Sequence, residues 1–125
     1  MTITDRDLVW MPVCRLADLT PDRGIAVLVD GHPVAVFLLA ATATTPAAIH
    51  AVGHLDPATG FGVIARGLVG SVGDRPYVAS PLHKQRYDLE TGECLDSPDL
   101  HLQVWPVRVD GDVVLVGREA MNSST

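Results

Sequence analysis

The sequence predicts an all-β fold, a small sandwich or barrel of short antiparallel strands joined by hairpin turns. Three observations carry that prediction. Two pairs of β-branched, apolar runs are each split by a turn containing Asp-Gly. Short strand candidates recur at close intervals between turn residues, and a 3.6-residue apolar period is almost absent.

Leu8 to Val13 is the first strand candidate, followed by Arg15 to Leu19 (RLADL), long enough for one helical turn before Thr20-Pro21. Ile25 to Val29 and Val34 to Leu38 flank Asp30-Gly31-His32-Pro33. Glycine there takes the positive φ that a tight hairpin turn demands. The small-residue segment AATATTPAA, 40 to 48, reads as an exposed loop. Ile49 to Val52, Tyr77 to Ala79, Gln85 to Leu89 and Gln103 to Trp105 are further strands, and Pro106 suits an edge or a bulge because it cannot donate to a central ladder. The glycines at 60, 62, 67, 70 and 73 form no phosphate-cradling motif and are assigned to turns and bulges. VRV (107–109) and VVLV (113–116) make the second hairpin about Asp110-Gly111-Asp112, and residues 119–125 are expected to be a flexible tail. Trp10 and Trp105, both in short strands, are expected in the core.

With 125 residues, 47% of them hydrophobic and 19% charged, the chain is expected to form a single domain spanning 1–125 with its own core. A net charge of −6 argues against a sequence-independent nucleic-acid binder, which needs a basic face. The opening MTITDRDLVW lacks the pattern of a secretory signal, and the longest apolar run, Val34 to Ala41, is too short to cross a membrane. A cytoplasmic location with reduced thiols is therefore expected. Cys14 and Cys94 stand at no metal-binding spacing, and a disulfide between them is left open.

The chemistry lies in two loops. ASPLHKQRYDLETGEC (79–94) has the cadence of a loop that binds a two-iron, two-sulfur cluster, with a serine in place of the cysteine. A cluster of the Rieske kind takes two thiolates from one Cys on each loop and two imidazoles from the histidines that follow. Here the first loop offers His54-Leu55-Asp56 and the second Ser80-Pro81-Leu82-His83. Both thiolate positions lack sulfur, and one imidazole position holds a carboxylate. A serine hydroxyl is far less acidic than a thiol and bonds iron much more weakly, so a normal cluster is not expected.

SPLHKQRYDLETGEC resembles the matching segment of the small subunit of assimilatory NAD(P)H-dependent nitrite reductase, whose members have a Rieske-like fold with the ligand positions typically lost. The Ser-Pro-x-x-Lys-Gln-Arg run is the specific part. HAVGHLDPATGFGVIARGLVG (50–70) and VCRLADLTPDRGIAVLV (13–29) extend the similarity over most of the chain. Two departures are His54, where the family more often has a small polar residue, and a longer loop at 40–48. The resemblance implies a subunit without a catalytic centre of its own, supporting a large subunit that carries FAD, an iron–sulfur cluster and sirohaem and reduces nitrite to ammonium. It points to Lys84, Gln85 and Arg86 as a candidate contact surface for that partner.

Alternatives remain open on the residues alone. His54, Asp56 and His83 are the ingredients of a two-histidine, one-carboxylate metal site; the competing assignment has Asp56 cap its own turn while the histidines make ordinary hydrogen bonds. Ser80 with His83 and Asp56 has the composition of a nucleophile triad, set against a serine that satisfies loop backbone groups. Arg86 either forks onto a partner carboxylate or pairs with an acidic neighbour such as Asp88 or Glu90. A Rieske-type electron carrier and a freestanding metal- or ligand-binding module are the competing functions.

Overall fold

The computed structural model describes residues 8–119. Among these residues ten strands form three antiparallel sheets. The central sheet contains β2 (Gly24–Val29), β3 (His32–Leu39), β4 (Ala48–Gly53) and β8 (Val104–Trp105), in the order β2-β3-β4-β8. Its middle strand explains the layering. Val34, Ala35, Val36 and Phe37 are all fully buried, and successive strand side chains point to opposite faces. Val34 and Val36, with Ala51 of β4, pack into one apolar cluster, while Ala35 and Phe37, with Val52, pack into a second. A strand covered on both faces needs apolar residues at every position, which is why VAVF is continuous rather than alternating.

Over the first face lies the sheet β1-β10-β9, made from β1 (Leu8–Arg15), β9 (Val107–Asp110) and β10 (Val113–Glu119). Val114 and Val116 of β10 fill that layer together with Trp105 and Leu19. Over the second face lies β5-β6-β7, made from β5 (Leu68–Val72), β6 (Arg75–Ala79) and β7 (Arg86–Asp88), contributing Val78 and Tyr87. Two 3₁₀ turns, Leu16–Asp18 and Ile64–Arg66, join the layers.

The Asp30-Gly31 hairpin forms as expected, with Val29 opposite His32 and both turn residues at positive φ, 53° and 84°. In the second hairpin Asp110 itself pairs with Val113, so the turn contracts to Gly111-Asp112. Pro106 falls between β8 and β9, where its carbonyl accepts from the Gly117 amide at 2.9 Å. Trp105 is buried as expected; Trp10 stays half-buried, with the Arg108 guanidinium 4.7 Å from its ring centre. Cys14 and Cys94 are free and belong to opposite apolar clusters.

Two expectations need correction. Gly70, assigned with the neighbouring glycines to turns and bulges, lies inside a strand absent from the expected set, β5 (Leu68–Val72), paired along its length with β6. Gly70 stands opposite Tyr77, and a Cβ there would lie 2.6 Å from the tyrosine hydroxyl, so the glycine makes room for the ring. The tail does not begin at 119: Glu119 pairs with Leu8 as the last residue of β10. Residues 120–125 lie outside the described ones.

Candidate functional site

The two loops identified from sequence meet at one end of the molecule. The first leaves β4 after Gly53 and runs into the 3₁₀ turn Ile64–Arg66; the second joins β6 to β7. What joins them is Asp56 and Ser80, both essentially excluded from solvent, with the Ser80 hydroxyl donating to Asp56 Oδ2. Each residue also organises its own loop. Asp56 Oδ1 accepts from the Ala58 amide at 2.8 Å, its carbonyl from Thr59 and Gly60, and its amide donates to the Phe61 carbonyl at 2.8 Å. The Asp-Pro turn is therefore capped by its own side chain, as expected of an Asx residue. Ser80 Oγ accepts from the Leu82 amide at 3.3 Å, and the Ser80 carbonyl from the Lys84 amide at 2.9 Å.

His54 faces back into the fold. Its Nδ1 accepts from the Ala65 amide at 3.1 Å. Burial lowers its pKa; a hydrogen bond with the Gly62 backbone opposes that, and the nearby Arg66 charge adds to it, with a net shift below the ordinary histidine value. Its Nδ1 lone pair is already committed to the Ala65 amide. His83, in contrast, is exposed. The alternative metal set does not converge: Asp56 has spent both oxygens, His54 has spent Nδ1, and among the described residues no group of three or more His, Cys, Asp or Glu is placed to hold an ion. The triad composition fares no better, because Asp56 bonds the serine directly and His83 lies outside the pair.

Beneath the loops, Tyr87 is buried, and its hydroxyl has no hydrogen-bond partner among the described residues. Burial, helped by the charges of Asp56 and Cys94, pushes its pKa up to about 12. Further along, Asp88 is a residue the sequence reading undervalued. Its buried carboxylate takes the Arg75 guanidinium at 2.8 Å on Oδ2 and the amides of Glu90 and Thr91 at 2.7 and 3.0 Å on Oδ1. Burial acts to raise its pKa, but these donors outweigh it and hold the group below the usual carboxylate value. The Asp-x-x-Thr-Gly spacing before Gly92 was the available signal, since Asp two and three residues ahead of such amides commonly closes a turn.

Of the Lys84-Gln85-Arg86 run, only part faces outward. Lys84 is exposed and sits at φ 63°, a left-handed conformation natural to glycine. Gln85 is half-buried. Arg86 forks onto Asp96, with Nη2 to Oδ1 at 2.7 Å and Nε to Oδ2 at 3.1 Å, and lies 5.6 Å over the Tyr77 ring. Asp88 and Glu90 are not its partners. Cys94 bridges to Tyr87 and the Leu95 amide donates to the Arg86 carbonyl, which draws residues 94–96 alongside β7 and brings Asp96 to the arginine.

Comparison with known proteins fits this geometry. The profile of the Rieske-like [2Fe-2S] domain family matches residues 9–117. The chain is 32% identical to the small subunit of NADH nitrite reductase from Salmonella typhimurium over 109 residues, covering 86% of this chain and 97% of that protein. It belongs to the nitrite reductase small-subunit family. The solved structure of a Mycobacterium tuberculosis protein assigned as an NADH-dependent nitrite reductase small subunit superposes with a TM-score of 0.82 at 40% identity, covering 91% of this chain and 98% of that one. The chain also matches, at 30% identity over 112 residues, a segment of a Klebsiella oxytoca protein named as the nitrite reductase large subunit, and spans only 11% of it.

The family description names a cluster that these residues do not fit. The residues that the sequence offers in the two loops are His54, Asp56, Ser80 and His83; two of them are hydrogen-bonded to each other, and none carries sulfur. No helix among the described residues is long and apolar enough to cross a membrane.

Proposed function

We propose that this chain is the non-redox small subunit of a cytoplasmic NAD(P)H-dependent nitrite reductase, with the described residues 8–119 forming one folded unit. The six-electron reduction of nitrite to ammonium in nitrogen assimilation takes place on a large subunit that carries FAD, an iron–sulfur cluster and sirohaem. The observation that carries this reading is the Asp56–Ser80 pair, which occupies the junction of the ligand loops of a family member that aligns end to end with nitrite reductase small subunits. A pair of oxygen side chains bonded to each other has no thiolate with which to hold iron, so the chain's contribution is binding and positioning. His54, Asp56, Ser80 and His83 are former ligand positions, and Lys84, Gln85 and Arg86 border the contact surface.

Purification of the chain from its native host tests the assignment. The expected result is co-purification with a sirohaem-bearing partner, loss of nitrite reduction on deletion of the chain, and less than about 0.1 iron per isolated chain. A chain that purifies alone, and whose deletion leaves nitrite reduction intact, refutes the subunit reading. A brown chain with stoichiometric iron instead supports an electron carrier.

A further inference from the structure

The geometry points to the joined tips of the two loops as the surface that docks on the large subunit, an inference that rests on the subunit reading above. Three large apolar side chains are exposed there: Leu55 at 49%, Phe61 at 63% and Leu82 at 43%. They are gathered by backbone, not scattered. Leu55 precedes Asp56, the Asp56 amide donates to the Phe61 carbonyl, and the Leu82 amide donates to the Ser80 hydroxyl that binds Asp56. Single exposed leucines are ordinary on a protein surface; three carried on residues adjoining one buried hydrogen-bonded pair form a site. Where a cluster-bearing loop would coordinate metal, this one spends its interior on the Asp56–Ser80 bond and turns apolar side chains outward.

Charge and a neighbouring cavity define the partner. The chain carries a net charge of −6, yet the exposed charged residues of segments 54–66 and 80–86 are Arg66 and Lys84, both basic. Beside Leu55 opens a cavity of about 200 Å³, lined also by His32, His54, His101 and Trp105. The Trp105 indole N–H is buried without a hydrogen-bond partner among the described residues, and the His32 ring lies 5.8 Å from that of Trp105. An apolar knob with a basic rim fits a partner surface that is apolar and rimmed by carboxylates. The large subunit is the occupant the relatives favour, because in the Klebsiella oxytoca protein the matching segment is part of the chain named as the large subunit, which holds the two in one polypeptide. The competing groove, about 490 Å³ between β4 and β9, is lined by Leu16, Leu38, Ile49 and Val109 and holds Arg108 as its charged residue.

The test measures binding of the full chain to the purified large-subunit holoenzyme by isothermal titration calorimetry, with thermal melts confirming that each variant folds. Phe61→Ser and Leu82→Ser are expected to weaken binding at least tenfold, Lys84→Glu several-fold, and Val109→Ser by less than twofold. Binding of the unchanged chain is expected to weaken as salt rises. Tip variants that melt like wild type and bind within twofold of it overturn the inference while leaving the subunit reading intact, and so does a large loss confined to Val109→Ser. Absence of binding by the unchanged chain overturns the subunit reading and the docking surface together.

Discussion

Replacing Ser80 or Asp56 by alanine, singly and together, measures how much of the loop junction rests on their hydrogen bond. The structure sets the magnitudes. In Ser80→Ala the buried Asp56 carboxylate loses the donor on Oδ2 while keeping the Ala58 amide on Oδ1. A hydrogen bond to a charged, buried group is worth about 1.5–3 kcal/mol, so a loss near 2 kcal/mol is expected. In Asp56→Ala the buried Ser80 hydroxyl loses its acceptor, at roughly 1–3 kcal/mol, while the Ala58 amide lies on an exposed residue where water can replace it, so about 2–3 kcal/mol is expected in all. In the double variant the unsatisfied serine donor and the unpaired carboxylate vanish together. Its total should not exceed that of Asp56→Ala alone, about 2–3 kcal/mol, against a sum of about 4–5, leaving a coupling of at least about 1.5 kcal/mol. Urea titration followed by the fluorescence of Trp10 and Trp105 provides the free energies, provided the slope with denaturant stays constant across the four proteins. Additive losses, with a coupling below about 0.5 kcal/mol, would show that the two loops are held by their own turns and that the pair merely touches.

Three further expectations follow from the neighbouring residues. Asp88 is held below its ordinary pKa in the fold, so its contribution is present above the unfolded value near 3.9 and is lost as pH falls through the folded value; urea midpoints between pH 3 and 7 should drop on the acid side. Asp88→Asn, which keeps an acceptor for the Glu90 and Thr91 amides but loses the charge facing Arg75, should flatten that acid limb and lower neutral-pH stability by about 1–2 kcal/mol. Lys84→Gly should raise stability by about 0.5–1 kcal/mol and Lys84→Val lower it, because the residue occupies a left-handed conformation; an unchanged melting temperature in both would contradict the strain. Gly92→Ala should cost roughly 3 kcal/mol or more, since φ is 83° and the added Cβ would run into the Leu102 carbonyl oxygen; a soluble variant with a wild-type melting curve would disprove that close approach.

Much of the fold was legible because its causes are local. Asp30-Gly31 names a two-residue turn, and the unbroken apolar run of β3 names a strand, which the fold then covers on both faces. What was not legible depends on partners distant in sequence. β5 reads as a glycine-bearing turn until Tyr77 is laid across Gly70. In the site, each half of the junction was readable: Asp56 caps its own turn, and the Ser80 hydroxyl serves its own loop. The bond between them is tertiary, fixed by how β4 and β6 present their loops, and no local pattern encodes it. Arg86 shows the same limit. Neighbouring carboxylates at 88 and 90 looked available, but Arg75 arrives on Asp88 from the adjacent strand, and residues 94–96 carry Asp96 alongside β7.

A metal-binding loop that loses its metal must replace a cross-link or come apart. In these loops side chains supply the cross-link: Ser80 and Asp56 tie the loops to each other, and His54 ties the first loop to the 3₁₀ turn through Ala65. Lys84 keeps the left-handed backbone that glycine would take, so the second loop retains its path while its side chains change function. The substitution has a consequence for the surface. A loop folded around a cluster is constrained in what it presents, because its side chains must shield and tune the iron. With the interior filled by two small hydrogen-bonded side chains, Leu55, Phe61 and Leu82 are free to face outward. The Asp56–Ser80 bond and the apolar tip above it are then two sides of one arrangement, since two small side chains that satisfy each other inside the loops leave the three large ones at the surface.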